Sequence, residues 1–505
     1  MMARTRSGGS PTRRNSSASS EAPLAARPIG RSRGVGALSI AALWLAGCAV
    51  GPNYTRPTTA VPPAYKEPGT FKEAQPSDAI AKGKWWEIYD DPQLNALEEQ
   101  VNVSNQSLKA AQEQFLQARA ALRIARAGYY PNVSVSLSAA GYRQSQERAL
   151  FNPGETVTYA DYLLPVDASW EPDVWGRVRR SVEGARSEVQ ASAADLANIS
   201  LSLHAEMAID YFQLRGLDSQ KQLLDSTVAS YQKALDLTQS RYSGGIASAV
   251  DVAQAQTQLE TTRAADQDVE VQRAAFEHAI AVLVGKPPAE FSQAASPLSS
   301  PPPETPPGLP SELLERRPDI AAAERRVQEA NAQIGVAKAA YFPVFSLNGA
   351  GGFESGVLGS LLSGPSGFWL LAGSAAQLII DGGQRRGVSE QARAAYRQSV
   401  NNYRQVTLSA FQDVDDNLAA LRVLEQEAKT QDGAVRAAQH SLDLSNNRYK
   451  GGVANYLEVT TAQSAALGDE RTAVDILTRR VVASVLLIKA LGGGWNASQI
   501  LNASR

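Results

Sequence analysis

The sequence predicts a mainly α-helical protein with a membrane β-barrel, in which one unit of long coiled-coil helices plus two strands is duplicated in tandem. Three observations predict it: an internal repeat of unusual length, helical patterns far beyond globular size, and short alternating segments between them. ARAGYYPNVSVSLSAAG at 125–141 is echoed by AKAAYFPVFSLNGAG at 337–351. RYSGGIASAVDVAQAQ from Arg241 returns as RYKGGVANYLEVTTAQ from Arg448. The two offsets, 125 to 337 and 241 to 448, are nearly equal. One large supersecondary unit is therefore duplicated, in contrast to a solenoid of short repeats. The first unit spans 85–286, a Pro-rich linker covers 287–310, the second unit spans 311–495, and 496–505 is a tail.

Each unit opens on a helix. In the first, Asp91-Pro92 starts it, since proline early in a helix gives up no bonded N–H. Leu94, Leu97, Val101, Leu108, Ala111, Phe115, Ala118 and Leu122 form its apolar stripe, and Gly128 ends it. Tyr129-Tyr130-Pro131 follows, matched by Tyr341-Phe342-Pro343. Paired aromatics at a helix-to-strand junction fit a girdle at the headgroup layer; a plain helix stop with buried rings is the alternative. Strict alternation comes next. Val133, Val135, Leu137 and Ala139 face one way and Asn132, Ser134, Ser136 and Ser138 the other, predicting a strand at 132–141. A second strand is predicted at 158–170, and their counterparts at 344–351 and 368–380, the last alternating weakly. A soluble two-faced sheet gives the same pattern, so one strand decides nothing.

The long helices limit the architecture most. The predicted spans are 174–240 and 385–450, with shorter partners at 247–284 and 454–491. At about 1.5 Å per residue the first reaches about 100 Å, and helices of this length need coiled-coil partners along most of it. None is apolar enough to span a bilayer; Arg177, Arg179, Arg180, Glu183 and Arg186 charge the first within its opening turns. Any crossing must come from strands. Four strands per chain close no barrel, and an open edge in lipid leaves backbone groups unsatisfied. The chain must oligomerise, two copies supplying eight strands and three supplying twelve.

Composition excludes one partner class and locates the chain. Lys plus Arg (49) and Asp plus Glu (51) nearly cancel in 505 residues, so no basic excess points to nucleic acid. The lone cysteine, Cys48, allows no internal disulfide. Arg27, Arg31 and Arg33 precede the apolar run Val35–Ala46 and the sequence Leu45-Ala46-Gly47-Cys48. This is a secretory signal over 1–47, too short for a stable membrane span. Leu-Ala-Gly-Cys resembles the bacterial lipobox, which implies lipid attachment at Cys48 and, with Ala49 following it, outer-membrane sorting; a plain signal peptide with an incidental cysteine is the alternative. The Ser- and Arg-rich stretch 1–26 fits disordered polar sequence or an upstream start, and Arg13-Arg14 lies too far from the apolar run for a twin-arginine signal. Residues 48–84 read as an extended tether that holds no core.

No catalytic constellation is present. His204, His278 and His440 are isolated on helices without metal spacing, and no P-loop occurs. No cofactor is expected. The turns are more informative. Gly244-Gly245 and Gly451-Gly452 follow Tyr242 and Tyr449, and glycine there suits a tight helix reversal. Asp251 and Glu458 stand at the same offset beyond the glycines. They suit the first turn of a helix by its dipole, and also a constriction whose repeated acids favour cations. Asp413, Asp415 and Asp416 form a mid-helix cluster that fits an outer surface better than a lumen.

Trp85-Trp86 with Asp91-Pro92 and Leu94, Trp170-Glu171-Pro172-Asp173 with Gly176-Arg177, Leu309-Pro310-Ser311 through Arg316-Arg317-Pro318-Asp319, and the two Arg-Tyr-x-Gly-Gly turns are specific when taken jointly. They make residues 85–505 resemble the TolC/OprM family of bacterial outer-membrane efflux channels, in its lipoprotein, NodT-like branch serving tripartite pumps of the resistance–nodulation–division type. The resemblance implies a homotrimer with a 12-stranded barrel over an α-helical periplasmic tunnel, held in outer-membrane lipid. It implies an exit duct for drugs or other small molecules, not an enzyme, fed by a periplasmic adaptor protein and an inner-membrane pump. It makes Tyr242, Asp251, Tyr449 and Glu458 the periplasmic aperture, and Gly244, Gly245, Gly451 and Gly452 the adaptor-contacting turns. It also implies that the 287–310 linker crosses the outside of the helical belt. Ala454 stands where some relatives carry a gating arginine, so a latch here differs. The competing reading is a structural coiled-coil lipoprotein whose strands form a small soluble sheet.

Overall fold

The computed structural model describes residues 49–66, 83–147, 154, 158–298, 300–303 and 313–495. The expected signal sequence at 1–47, the expected lipid-attachment residue Cys48 and the expected tail at 496–505 lie outside the described residues. The first helix, expected to be continuous, is two: α1 (Pro92–Ser104) and α2 (Gln106–Ala127). Asn105 divides them. Its backbone is extended, its Oδ1 accepts from Leu108 N at 2.9 Å, and its Nδ2 donates to Leu283 O at 2.8 Å. An asparagine side chain that bonds the backbone ahead of it competes with the helical bond and starts a new helix.

The long helices are α3 (Arg177–Ser243) and α6 (Gln384–Lys450), 67 residues each, about 100 Å apiece. Their partners α4 (Ala249–Leu283) and α7 (Tyr456–Ala490) have 35 residues each. Equal lengths in the two halves are what a faithful duplication produces. Both long helices begin alike. Asp173 accepts from Val178 N and Arg179 N at 2.8 Å, and Asp381 accepts from Gly383 N at 3.0 Å and Arg385 N at 3.1 Å, satisfying first-turn donors that a helix leaves open. α5 (Pro318–Ala339) packs between α3 and α6, and α2 lies along α3. Among the described residues no helix is long and apolar enough to cross a membrane.

The largest core cluster joins the start of the first unit to mid-helix. Trp85, Trp86, Leu94 and Val101 pack on Met207, Tyr211 and Leu214 of α3, Ile280 of α4, and Val485 and Ile488 of α7. Ser296 N donates to Asp218 at 2.9 Å and Arg215 Nη1 donates to Ala294 O at 2.7 Å, so the start of the linker is bonded to α3.

The tether departs from expectation, because residues 49–66 do contribute core. Tyr54 packs on Ile320 and Tyr403, and Tyr65 on Phe411 and Leu418. Asn331 Nδ2 bonds Pro52 O, and Lys66 N bonds Asp415 Oδ1, both at 3.0 Å. The chain runs so close to α5 that a Cβ at Gly51 would lie 2.6 Å from Gly335 Cα. Two tyrosines and bonds from helix side chains to the tether backbone outweigh the Pro-rich composition from which a coreless tether was expected.

Candidate functional site

Two regions are candidates, the sheet and the pair of helix reversals. The sheet is antiparallel, ordered β1 (Asn132–Val135)–β3 (Thr158–Trp170)–β4 (Val344–Ser355)–β5 (Gly367–Ala376), with β2 (Ser138–Arg143) also on β3. β1 and β2 were expected as one strand at 132–141. They share one register against β3, Val135 facing Val166 and Ser138 facing Leu163. The interruption falls opposite Pro165, which has no N–H to give. On its other side Pro165 faces Gly352, where a Cβ would come within 2.1 Å of Leu164 O. The expectation at 158–170 coincides with β3, whereas β4 runs on past 351 to Ser355 and β5 covers Gly367–Ala376 in place of 368–380.

The registers sort the side chains. Val133 and Val135 pair with Ala168 and Val166, which pair with Gly349 and Gly351, which pair with Leu371 and Trp369. This face is apolar, with Val133 64%, Leu371 77% and Trp369 79% exposed. Directly opposed residues share a face, so Ser134, Asp167 and Ala350, and Asn132, Ser169 and Asn348, line the other. At the helix end Trp175 stacks on Phe342 at 4.7 Å and donates Nε1–H to Pro343 O at 2.7 Å, while Trp170 Nε1–H reaches Tyr129 O.

The second region is the pair of reversals at the far ends of α3 and α6, where the aperture is expected. In the first, Gly245 has φ 71°, and Ile246 N bonds Arg241 O at 2.8 Å. In the second, Gly452 has φ 73°, and Val453 N bonds Arg448 O at 3.0 Å. A left-handed residue after the helix closes the last carbonyls in this way. The helices that leave are capped differently. Ser248 and Asp251 form a reciprocal box: Asp251 N donates to Ser248 Oγ and Ser248 N to Asp251 Oδ2, at 3.2 and 3.0 Å. Asn455 Oδ1 caps Glu458 N at 3.2 Å, leaving the Glu458 carboxylate to pair with Arg448 at 3.0 Å.

The two tyrosines are not equivalent either. Tyr242 is half exposed, whereas Tyr449 is buried in a cluster with Tyr231, Leu235, Leu259 and Tyr456. Tyr449 meets the Tyr456 ring edge-on at 5.1 Å, and Arg241 lies 4.7 Å from its centroid, donating Nη1–H to Lys450 O. Burial pushes the Tyr456 hydroxyl up to about 12. Of the predicted aperture residues, then, the structure gathers Tyr449 into the tip core, ties Glu458 to Arg448, uses Asp251 as a cap, and leaves Tyr242 outside. Arg241, Arg448 and Tyr456 were not singled out. The two arginines open the repeated Arg-Tyr-x-Gly-Gly turn, so the repeat itself carried the signal.

The remaining candidates are structural. Among the described residues no cluster fits a metal ion. His204 is buried, stacked on Trp86 at 4.4 Å, with Nδ1 2.6 Å from Glu98 Oε2 and Nε2 3.0 Å from Asn102 Oδ1. Burial drives the Glu98 carboxyl well up and the imidazole down to about 4, so Glu98 donates its proton to Nδ1 and Nε2–H donates to Asn102. Asp413 pairs with Arg317 at 3.1 Å, and Asp415 holds the tether.

Membership of the family follows from the sequence match. The model described as "Outer membrane efflux protein" matches residues 97–286 and 309–493, and the chain belongs to that family. The probable efflux pump outer membrane protein TtgC of Pseudomonas putida is 31% identical over 461 residues, covering 91% of this chain and 95% of that one. The solved outer-membrane channel OprN has a TM-score of 0.80 at 29% identity, over 89% of this chain and 100% of its own. The open state of the Neisseria gonorrhoeae channel MtrE has a TM-score of 0.77 at 27% identity, over 89% and 99%. The protein is an outer-membrane efflux channel of a tripartite pump, with a helical body that extends into the periplasm. Its family is one of ducts, not of enzymes.

Proposed function

We propose that three copies close their sheets into a 12-stranded barrel above a helical tunnel and form a passive exit duct for drugs or other small molecules. One observation carries the reading. The four-strand-wide sheet has a continuous apolar face, and its outer strands β1, β2 and β5 have no second strand partner among the described residues. An open edge in lipid is costly, and closure by further copies removes it. In this reading Cys48 bears the lipid anchor and the Tyr129 and Tyr341 clusters sit at the headgroup layer. The Gly244-Gly245 and Gly451-Gly452 turns receive a periplasmic adaptor, and a resistance–nodulation–division pump supplies the energy. Tyr242, Asp251, Tyr449 and Glu458 surround the aperture, and the contacts of Arg241 with Tyr449 and Arg448 with Glu458 hold it narrow in place of the missing arginine at 454.

Single-channel recording in planar bilayers at both polarities tests this. Rare cation-preferring openings are expected from wild type, with larger and longer ones after Arg241→Ala together with Glu458→Ala. Silence from both, with a monomeric mass in detergent, would favour the coiled-coil lipoprotein with a soluble sheet.

A further inference from the structure

Immediately below the sheet, α2, α3 and α5 enclose a cleft of about 500 Å³ with a basic lining. Arg126 enters from the last turn of α2, and Arg179 and Arg186 from the first turns of α3, Arg186 lying about 14 Å along the helix. The carboxylate inside, Glu183, is already held by Arg180 at 2.7 Å. Arg126 and Arg186 pair with no carboxylate among the described residues, and the Nε of Arg325, which also lines the cleft, is buried without a partner there.

The duplication builds the same cleft again. A second cavity of about 460 Å³ between α5 and α6 is lined by Lys338, Arg386, Glu390 and Arg393. These stand at the repeat offsets from Arg126, Arg179, Glu183 and Arg186, and Glu390 is likewise taken, by Arg386 at 2.9 Å. Tyr341, Phe342 and Val50 complete its wall. Val50 N bonds Trp175 O at 3.0 Å, and Arg180 Nη2 reaches Asn53 Oδ1 at 3.1 Å, so the tether passes beside both clefts.

Cations that converge on one space around a committed carboxylate repel one another until an anion enters, and guanidinium groups suit phosphate oxygens. We infer that each cleft takes the phosphate of an anionic phospholipid headgroup from the periplasmic leaflet of the outer membrane, two per chain. Position selects the lipid source: the clefts lie on the helix side of the membrane sheet, beside aromatic rings that suit the headgroup layer. The inference rests on the outer-membrane placement of the family and not on the proposed trimer or gate.

Native mass spectrometry of the full-length protein, delipidated and titrated with phosphatidylglycerol, phosphatidylcholine or inorganic phosphate, tests it. Wild type is expected to retain two phosphatidylglycerol molecules per chain. Arg126→Gln with Arg186→Gln should leave one, and adding Lys338→Gln with Arg393→Gln should leave none. Each cleft's affinity should fall about twenty-five-fold, from about fivefold per cation removed. The exchange Arg126→Lys with Lys338→Arg keeps every charge and should keep both lipids, separating lost charge from lost folding. Equal retention of phosphatidylcholine, or unchanged stoichiometry in the four-site variant, overturns the site. Displacement by inorganic phosphate at the lipid's own concentration reassigns it to a soluble anion and overturns the lipid.

Discussion

The two tips have the same turn, the same glycine at positive φ and the same acid offset, yet they differ in how they are held. The first, 241–251, is closed by local bonds: a reciprocal Ser248–Asp251 cap and an exposed Tyr242. The second, 448–458, is held by contacts that cross the duplication, with Tyr449 buried under Arg241 and against Tyr456. Duplication copies a local motif into both halves, but of the two turn tyrosines Tyr449 is buried and Tyr242 is not. The first tip is held by bonds within its own turn, the second by contacts from the other half.

The largest test removes the ring. Tyr449→Ala should cost about 3–5 kcal/mol at the tip, and Tyr242→Ala less than about 0.5 kcal/mol. Hydrogen exchange across 228–260 and 445–463 reads both, and equal losses would erase the distinction.

A second asymmetry lies mid-helix, where His204 of α3 corresponds by the repeat offset to Phe411 of α6. The two titrations at this site have opposite signs. His204 is neutral when folded, and its unfolded counterpart takes up a proton near 6.5, so its contribution is lost as pH falls from 6.5 towards about 4. Glu98 holds its proton when folded, so its contribution is lost as pH rises from the ordinary carboxyl range through its raised value. Glu98→Gln should isolate the histidine and leave an acid-side loss approaching about 3 kcal/mol. His204→Phe, which makes the halves alike, should remove that loss and leave stability falling as pH rises. Denaturant unfolding across pH checks both signs.

Smaller effects follow at the arginines and caps. Arg241→Ala should loosen the second tip by about 1 kcal/mol through its lost ring contact, and Arg448→Ala, an exposed pair, by less. Channel open probability should rank them in that order. Ser248→Ala and Asn455→Ala should each cost about 1 kcal/mol, but Asp251→Ala should cost its helix more than Glu458→Ala costs its own, because Asp251 alone bonds back to the cap. Protease nicking at each turn measures this difference.

Much of the architecture was legible because it rests on period and length. Alternation over 158–170, the absence of proline through both long helices, and Gly-Gly after each Arg-Tyr are local properties visible one residue at a time. The misses have a common cause. Asn105 looked like a polar position in a continuous stripe, since its bond to Leu283 O joins residues far apart in the chain. Pro165 interrupts a strand that is not its own. Tyr54 and Tyr65 sit in a stretch whose composition signals solvent, and their burial comes from helices hundreds of residues away.

The sequence by itself determined the duplication, the order of its helices and strands and the length of the long helices, and the need for the sheet to find partners, because backbone periodicity and glycine stereochemistry act over a few residues. Only the tertiary structure decided which tyrosine is buried, which acid caps and which pairs with an arginine, and that equivalent arginines of both halves converge on matching clefts. Those outcomes depend on distances between residues remote in the chain, and neither spacing nor composition encodes them.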